Sequence, residues 1–222
     1  MKKAIVLAGS RGIGKGIADS IESINDGLTW PEIEVVRTST KNLDTSNLHT
    51  VEKFIDKNPY TDILVLNTGG PPSQTFDSIT KEDCDKYHNQ LFYSFLKMIQ
   101  EIKISDGGYI FLVSSYNVKE PDSKLLLSNA YRVAFISVLK CLSKELAKKN
   151  ITTINIAPGP IDTDRIRGLC NDIPGLEKRL PMGRLGQVEE IGSFVKSIIS
   201  NEIKYLTGVT INFDGGKSNS IF

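Results

Sequence analysis

The stretch LAGSRGIGKGIA, residues 7–18, lies at the end of the apolar run AIVL. Its glycines and lysine fit the spacing of two different kinds of phosphate-binding loop. The residues from Gly9 to Lys15 fit a P-loop for a nucleoside triphosphate. Gly9, Gly12 and Gly14 also fit the turn that opens the first helix of a dinucleotide-binding βαβ unit. In both cases glycines let backbone amides approach a phosphate, and the helix N-terminus adds partial positive charge.

The residues that follow the loop separate the two interpretations. A P-loop needs Ser or Thr after its lysine to hold magnesium, but Gly16 follows Lys15 here. It also requires an acidic residue at the end of a later strand, whereas the apolar run ILVL (63–66) is followed by Asn67. The sequence therefore favours a dinucleotide, although any tight strand-to-helix turn can use glycine.

Apolar runs of strand length alternate with helical patterns along the whole chain. Strands are predicted at residues 4–8, 33–37, 63–67, 109–114, 151–157 and 208–213. Helices are predicted from the stripe of Ile13, Ile17, Ile21 and Ile24 before NDG (25–27), from the capping box of Thr80 and Asp83, over 128–148, and from Val188. This alternation predicts an α/β fold, a Rossmann-type doubly wound parallel sheet forming a single domain over 1–222.

The connection between the second and third strands is short. After Arg37 there is room for one short strand around Leu43 and one helix through residues 51–55 before Asp62. An ordinary doubly wound fold has a further helix there. We therefore predict a sheet trimmed between strands 2 and 3.

Composition excludes several classes of protein. The 27 basic and 26 acidic residues give a net charge of +1 with no long block of one sign, which does not support a nucleic-acid or membrane-surface partner. Cys84, Cys141 and Cys170 have no metal-binding spacing, and two distant histidines offer no metal site. No segment approaches membrane-spanning length. We expect reduced thiols in a cytoplasmic protein, with no metal and no membrane.

Six motifs occur in a characteristic order: GSRGIG, DILVLNTGG, IFLVSS, APGPIDT, PMGRLGQVEEI and YLTGVTINFDGG. As a set, from Ala4 to Gly216, they resemble the short-chain dehydrogenase/reductase (SDR) family, and most closely its 3-oxoacyl-[acyl-carrier-protein] reductases. One position departs from the family pattern: the family has Thr-Gly before the glycine-rich turn, whereas this sequence has Leu7 and Ala8. The resemblance also identifies residues 164–187 as the variable substrate lid, where Arg165, Arg167, Lys178 and Arg179 are candidates to meet an anionic substrate.

The resemblance implies a binding site for NAD or NADP. The pyrophosphate is expected at Gly9, Ser10, Arg11, Gly12, Ile13 and Gly14. Asp44 matches the acid that contacts the adenine, and Asn67, Thr68 and Gly69 match the segment beside the adenosine ribose. Pro158, Gly159, Ile161 and Thr163 match the segment that holds the nicotinamide carboxamide. Each glycine or asparagine has a plain turn role as its alternative.

The residues after the second strand indicate which cofactor is bound. NAD is recognised by an acid there, and the NADP phosphate by basic residues. The stretch VVRTSTKN contains hydroxyls and Lys41 but no acid, and Arg11 lies in the phosphate loop. We therefore predict NADP(H), with NAD(H) as the alternative.

The catalytic pattern of the family is altered. Ser115 matches the serine that binds the substrate oxygen, but Ser128 stands at the tyrosine position, Arg132 at the lysine position and Gln90 at the asparagine position. Ser128 is a far weaker acid than a phenol, and Arg132 cannot lose its proton at neutral pH. Arg132 could polarise Ser128, or grip a substrate carboxylate or phosphate. Tyr131, about 60° around the helix from Ser128, is a second proton-donor candidate, with packing as its alternative role.

Two functions follow from these residues. The first is an NADP-dependent reductase of a small carbonyl compound or acyl thioester, using Ser115, Ser128 and Arg132. The second is a catalytically weak or inactive NAD(P)-binding sensor or oligomer-forming protein that has lost the Tyr/Lys pair. A homodimer or homotetramer is expected by resemblance.

Overall fold

Six parallel strands form one sheet in a computed structural model that describes residues 1–24 and 32–221. The strands are β1 (Lys2–Val6), β2 (Ile33–Arg37), β3 (Tyr60–Leu66), β4 (Lys103–Val113), β5 (Thr152–Pro158) and β6 (Val209–Phe213), in the order β2-β1-β3-β4-β5-β6. All five strand pairs are parallel. The predicted Rossmann-type doubly wound parallel sheet is therefore confirmed.

Eight α-helices lie among the described residues. They are α1 (Gly12–Glu22), α2 (Leu48–Lys57), α3 (Lys81–His88), α4 (Ser94–Glu101), α5 (Leu126–Ala147), α6 (Asp164–Leu169), α7 (Ile173–Arg179) and α8 (Val188–Ser200). A π-helical turn, Asn89–Tyr93, joins α3 to α4. The predicted capping box is present, because Thr80 and Asp83 bond each other's backbone N–H groups.

The sheet is covered on both faces, which explains why its central strands β3 and β4 end in the continuous apolar runs ILVL and YIFLV rather than in alternating patterns. Ala4 and Val6 of β1 belong to the core under α1 and α8. Ile5 of the same strand and Leu7 after it belong to the opposite core, under α2, α4 and α5. Successive side chains of one strand thus supply both cores.

The chain changes face between β1 and β3, which are neighbours in the sheet. The helix after β1 packs with α8 on one face, whereas α4, reached from β3, packs on the other. In open parallel sheets this change leaves a crevice at the carboxyl ends of the strands, where ligands bind. The fold therefore places a cleft next to the glycine-rich loop.

One predicted element is wrong and one lies outside the described residues. The strand expected around Leu43 is not formed, because the Leu43 N–H bonds to the Ser39 carbonyl at 2.9 Å in a turn, and the buried side chain joins the α2 core instead. A single helix, α2, connects β2 to β3, as the short connection predicted. The predicted helix end at 25–27 is not described; α1 ends at Glu22.

No helix of the described segments has the length and apolarity needed to cross a lipid bilayer.

Removing the ring of Phe135 should strongly destabilise the protein. Phe135 of α5 is fully buried in the core under α2, α4 and α5, and its ring centroid lies 5.4 Å from that of Phe95. We expect Phe135→Ala to lower the free energy of unfolding by about 3–5 kcal/mol in urea denaturation. Val133→Ala, two residues away at a side chain that is 46% exposed, is the control and should change it by less than about 0.5 kcal/mol. Equal effects would contradict the assignment of the buried face of α5.

Candidate active site

The glycine-rich loop is built by close backbone approach. A side chain on Gly14 would lie 2.7 Å from the carbonyl carbon of Ala8 and 2.8 Å from Asn67 Nδ2, and one on Gly9 would lie 2.8 Å from the Val6 carbonyl oxygen. The N-cap of α1, Arg11, is extended and makes no side-chain cap bond. The first amides of α1 are therefore left for an anion, which fits the pyrophosphate of a dinucleotide.

Ala8 carries backbone strain at the position where the resembling family has glycine. Its φ of 48° lies in the left-handed region, which costs an L-residue about 1–2 kcal/mol. The surroundings hold it there, because the Ala8 N–H donates to Thr38 Oγ1 at 2.9 Å and Asn67 Nδ2 donates to the neighbouring Leu7 carbonyl at 3.3 Å. The departure from glycine thus leaves the turn intact.

The other predicted cofactor residues lie along the same edge of the sheet. Asp44 Oδ1 accepts from the Ser46 N–H and hydroxyl, and Thr45 Oγ1 lies 3.0 Å from Thr68 Oγ1, which joins this loop to the end of β3. A side chain on Gly12 would lie 3.5 Å from the Thr163 methyl group. The phosphate loop and the segment after β5 therefore face each other, and the fold brings the predicted cofactor residues together. Their role in binding stays a prediction.

Arg11 and Lys41, the two basic residues that the sequence offers for the NADP phosphate, are both exposed. Neither Arg11 nor Lys41 forms an ion pair with the described residues. Lys15 and Arg37, in contrast, each lie 2.5 Å from a carboxylate oxygen of Asp19. Among the described residues, Arg11 and Lys41 therefore differ from Lys15 and Arg37 in having no carboxylate partner.

Ser115 and Ser128 are both held as hydrogen-bond acceptors by the protein, which leaves their own hydrogens for another group. Ser115 caps the turn at 116–118 and accepts from the Asn117 N–H at 3.2 Å. Ser128 is buried on α5 and accepts from Arg132 Nε at 3.2 Å. The turn after Ser115 packs against α5, the helix that carries Ser128.

The Arg132 guanidinium joins three elements of the site. Besides Ser128, it donates from Nη1 to the Val113 carbonyl at the end of β4, at 2.9 Å, and from Nη2 to the Thr68 carbonyl after β3, at 3.3 Å. Burial, with repulsion from Arg165 as a smaller cause, lowers the pKa of Arg132 to about 10. The side chain therefore remains a cation at neutral pH and donates hydrogen bonds but no proton.

Residues 68–71 form a loop whose carbonyls are held by three side chains. Gln90, in the π-helical turn, donates to the Gly69 carbonyl at 2.7 Å, Arg132 donates to Thr68, and Arg165 Nη2 donates to the Pro71 carbonyl. The sequence interpretation did not assign Gly70, which lies between these groups. The doubled glycine in NTGG was the available signal, because only the first of the two matches the family motif.

Tyr131 is not brought to the two serines. Its hydroxyl donates to the Cys84 carbonyl on α3 at 3.0 Å, and its ring meets His88 edge-on at 5.7 Å. Burial raises the pKa of Tyr131, which disfavours loss of its proton. This geometry corresponds to the packing role that was left open as the alternative.

Comparison with known proteins gives the family. The model of a family described as enoyl-(acyl carrier protein) reductase matches residues 41–218. The chain is 27% identical to the NADPH-dependent reductase BacG of Bacillus subtilis, covering 99% of both chains. It is 30% identical to the 3-oxoacyl-[acyl-carrier-protein] reductase FabG of Chlamydia pneumoniae, covering 97% of this chain and 96% of that one. A small-chain dehydrogenase solved with NADPH superposes with a TM-score of 0.82 at 24% identity, covering 97% and 98%.

The fold, the glycine-rich loop and these matches together define the class. The chain belongs to the short-chain dehydrogenase/reductase family. It is similar to the 3-oxoacyl-[acyl-carrier-protein] reductases of that family, as its motifs predicted.

Replacing Ala8 by glycine should stabilise the protein. Glycine removes the steric cost of the positive φ, offset in part by the greater freedom it gives the unfolded chain. We expect Ala8→Gly to raise the free energy of unfolding by about 0.5–1 kcal/mol in urea denaturation. Asn150→Gly, at a φ of 55°, is the control and should gain less, because asparagine tolerates this region. A loss of stability in Ala8→Gly would contradict the strained turn.

Proposed function

We propose that this protein is an NADP(H)-dependent oxidoreductase that reduces a small carbonyl compound. The observation that carries the proposal is the loop of residues 9–14, whose glycines admit a pyrophosphate at the uncapped start of α1. Support comes from the names of the similar proteins, two of which are reductases, one of them NADPH-dependent. Among substrate classes, an acyl thioester is the one that similarity to FabG favours.

The phosphate that distinguishes NADP from NAD has two candidate partners. Arg11 and Lys41 are exposed and unpaired with described carboxylates, whereas the end of β2 presents the hydroxyls of Ser39 and Thr40 rather than an acid. A dianionic phosphate gains charge-assisted hydrogen bonds from such a set. When bound, the reduced cofactor supplies a hydride to the carbonyl carbon.

The side chains at the other end of the cleft act on the carbonyl oxygen. Because Ser115 and Ser128 accept hydrogen bonds from Asn117 and Arg132, their own O–H groups point their hydrogens to a substrate oxygen. The Arg132 cation stabilises the negative charge that develops on this oxygen. One hydride on carbon and one proton on oxygen convert the carbonyl to an alcohol; the proton passes from Ser128, which regains one from solvent.

The second candidate function is an NAD(P)-binding sensor or oligomer-forming protein without turnover. The observation that favours it is the site of residues 128 and 132, where serine and arginine stand in place of the tyrosine and lysine of the resembling family. A serine hydroxyl is a poor proton donor, so cofactor binding without reduction is the result expected for this function.

Cofactor titration should show a preference for NADPH that depends on Arg11. Loss of a charge-assisted bond to phosphate costs about 1.5–3 kcal/mol, so Arg11→Ala should weaken NADPH binding by about tenfold or more in a fluorescence titration. Its NADH affinity should fall much less, because NADH lacks the additional phosphate. Lys15→Ala is the matched control, since Lys15 is engaged by Asp19, and it should leave both affinities unchanged. A wild-type preference for NADH would overturn the assignment.

Turnover should depend on both serines. With a panel of ketones and 3-oxoacyl thioesters, we expect Ser115→Ala to lower kcat by about 100-fold and to leave NADPH affinity unchanged, because the lost donor acts on developing charge. Ser128→Ala should do the same, and the loss of reduced-cofactor absorbance measures both. Cofactor binding without turnover of any substrate would favour the sensor, and turnover that survives both substitutions would show that the site is misassigned.

A further inference from the structure

Two guanidinium groups converge on Gly70. A methyl group at this position would lie 3.4 Å from Arg165 Nη2, 3.5 Å from Ser128 Oγ and 3.6 Å from Arg132 Nη2. The groups come from α5 and α6 and from the loop after β3, elements that are distant in sequence. The fold therefore gathers two cations and a hydroxyl around one residue that has no side chain.

Neither cation has a counter-ion among residues 1–24 and 32–221. Arg132 and Arg165 donate only to carbonyls and to Ser128, whereas Arg37, Arg167 and Arg184 lie 2.5, 2.6 and 2.8 Å from carboxylate oxygens. Burial lowers the pKa of Arg132 most, and repulsion from the nearby Arg165 lowers it further. Two like charges in a partly buried site are unfavourable unless an anion compensates them.

Both guanidinium groups have N–H donors that make no hydrogen bond to the described residues. Each carries five N–H groups. Arg132 uses three of them for Ser128, Val113 and Thr68, and Arg165 uses one for Pro71. After these hydrogen bonds are made, Arg132 has two N–H groups and Arg165 has four that are available to a ligand. The missing side chain of Gly70 leaves the same groups uncovered.

We propose that Arg132 and Arg165 bind a carboxylate of the substrate, so that the compound reduced is a 2-oxo acid. This rests on the reductase function proposed above, and it names an oxo acid as the substrate class in place of the acyl thioester that similarity to FabG favours. Ser128 bonds directly to Arg132, so a group on the guanidinium lies next to the carbonyl oxygen that Ser128 receives. A planar carboxylate attached to the carbonyl carbon fits this short separation and the planar arginine fork. Reduction adds hydride to C2 and a proton to its oxygen, giving the 2-hydroxy acid.

The test compares 2-oxopentanoate with its uncharged methyl ester. The wild-type enzyme should have a kcat/KM at least 100-fold higher for the acid. Arg165→Gln should lower kcat/KM for the acid, mainly through KM, by at least tenfold more than it lowers kcat/KM for the ester. Arg167→Gln, on the same helix but paired with Asp162, is the matched control and should keep the preference. Equal use of acid and ester by the wild type would overturn the proposal.

Gly70→Ala provides a second variant that should fold normally. Its backbone is outside the left-handed region, and the added methyl would make ordinary contacts of 3.4–3.6 Å. We expect Gly70→Ala to raise KM for the acid severalfold more than it raises KM for the ester. An unchanged KM for both compounds would contradict an anion site beside Gly70.

A binding measurement separates this proposal from the function on which it rests. Oxamate, a non-reducible carboxylate shaped like a 2-oxo acid, should quench the fluorescence of bound NADPH in the wild type and do so at least tenfold more weakly in Arg165→Gln. If NADPH binds and neutral ketones are reduced while oxamate has no effect, this inference fails alone. If NADPH does not bind, both fail. Weaker NADPH binding in Arg165→Gln, or preference for dihydroxyacetone phosphate over the oxo acid, would assign the arginines to a phosphate and overturn the carboxylate.

Discussion

The hydrogen bonds of the Arg132 guanidinium hold the candidate site together. They connect α5 to the end of β4 and to the loop after β3, and they fix the orientation of the Ser128 hydroxyl. A lysine has a single nitrogen and cannot meet these three acceptors with a planar fork. The replacement of lysine by arginine therefore changes the geometry of the site as well as its proton chemistry, because arginine retains its proton.

This geometry gives the altered residues a coherent chemistry. A phenol is the stronger proton donor, whereas in the mechanism proposed above Ser128 donates the proton and the fixed Arg132 cation stabilises the negative charge on oxygen. The second cation, Arg165, is difficult to explain by loop positioning alone, since a carbonyl acceptor requires no charge. The anionic substrate proposed above gives both cations a partner, and they in turn position it next to Ser128.

The fold was predictable from the sequence because its signals are local. Continuous apolar runs such as ILVL of β3 and YIFLV of β4 specify buried parallel strands, and the box of Thr80 and Asp83 specifies a helix start. The strand expected at Leu43 was wrong because one buried leucine satisfies a turn as well as a strand. In the site, residues within one motif, such as 9–14, were predictable from their spacing. The cluster at Gly70 was not predictable, because the contact between Arg165 and the loop at Pro71 joins residues 94 positions apart in sequence.

Transfer of isotope from cofactor to substrate tests the central claim most directly. NADPH carrying deuterium on the transferred position of C4 would be incubated with the protein and 2-oxopentanoate, and the product analysed by mass spectrometry. If reduction occurs at this site, the hydroxy acid carries one deuterium on C2. The variant in which Ser128 and Arg132 are both replaced by alanine should form no labelled product. Bound cofactor that transfers no label to any carbonyl substrate would contradict the assignment of this cleft as an active site.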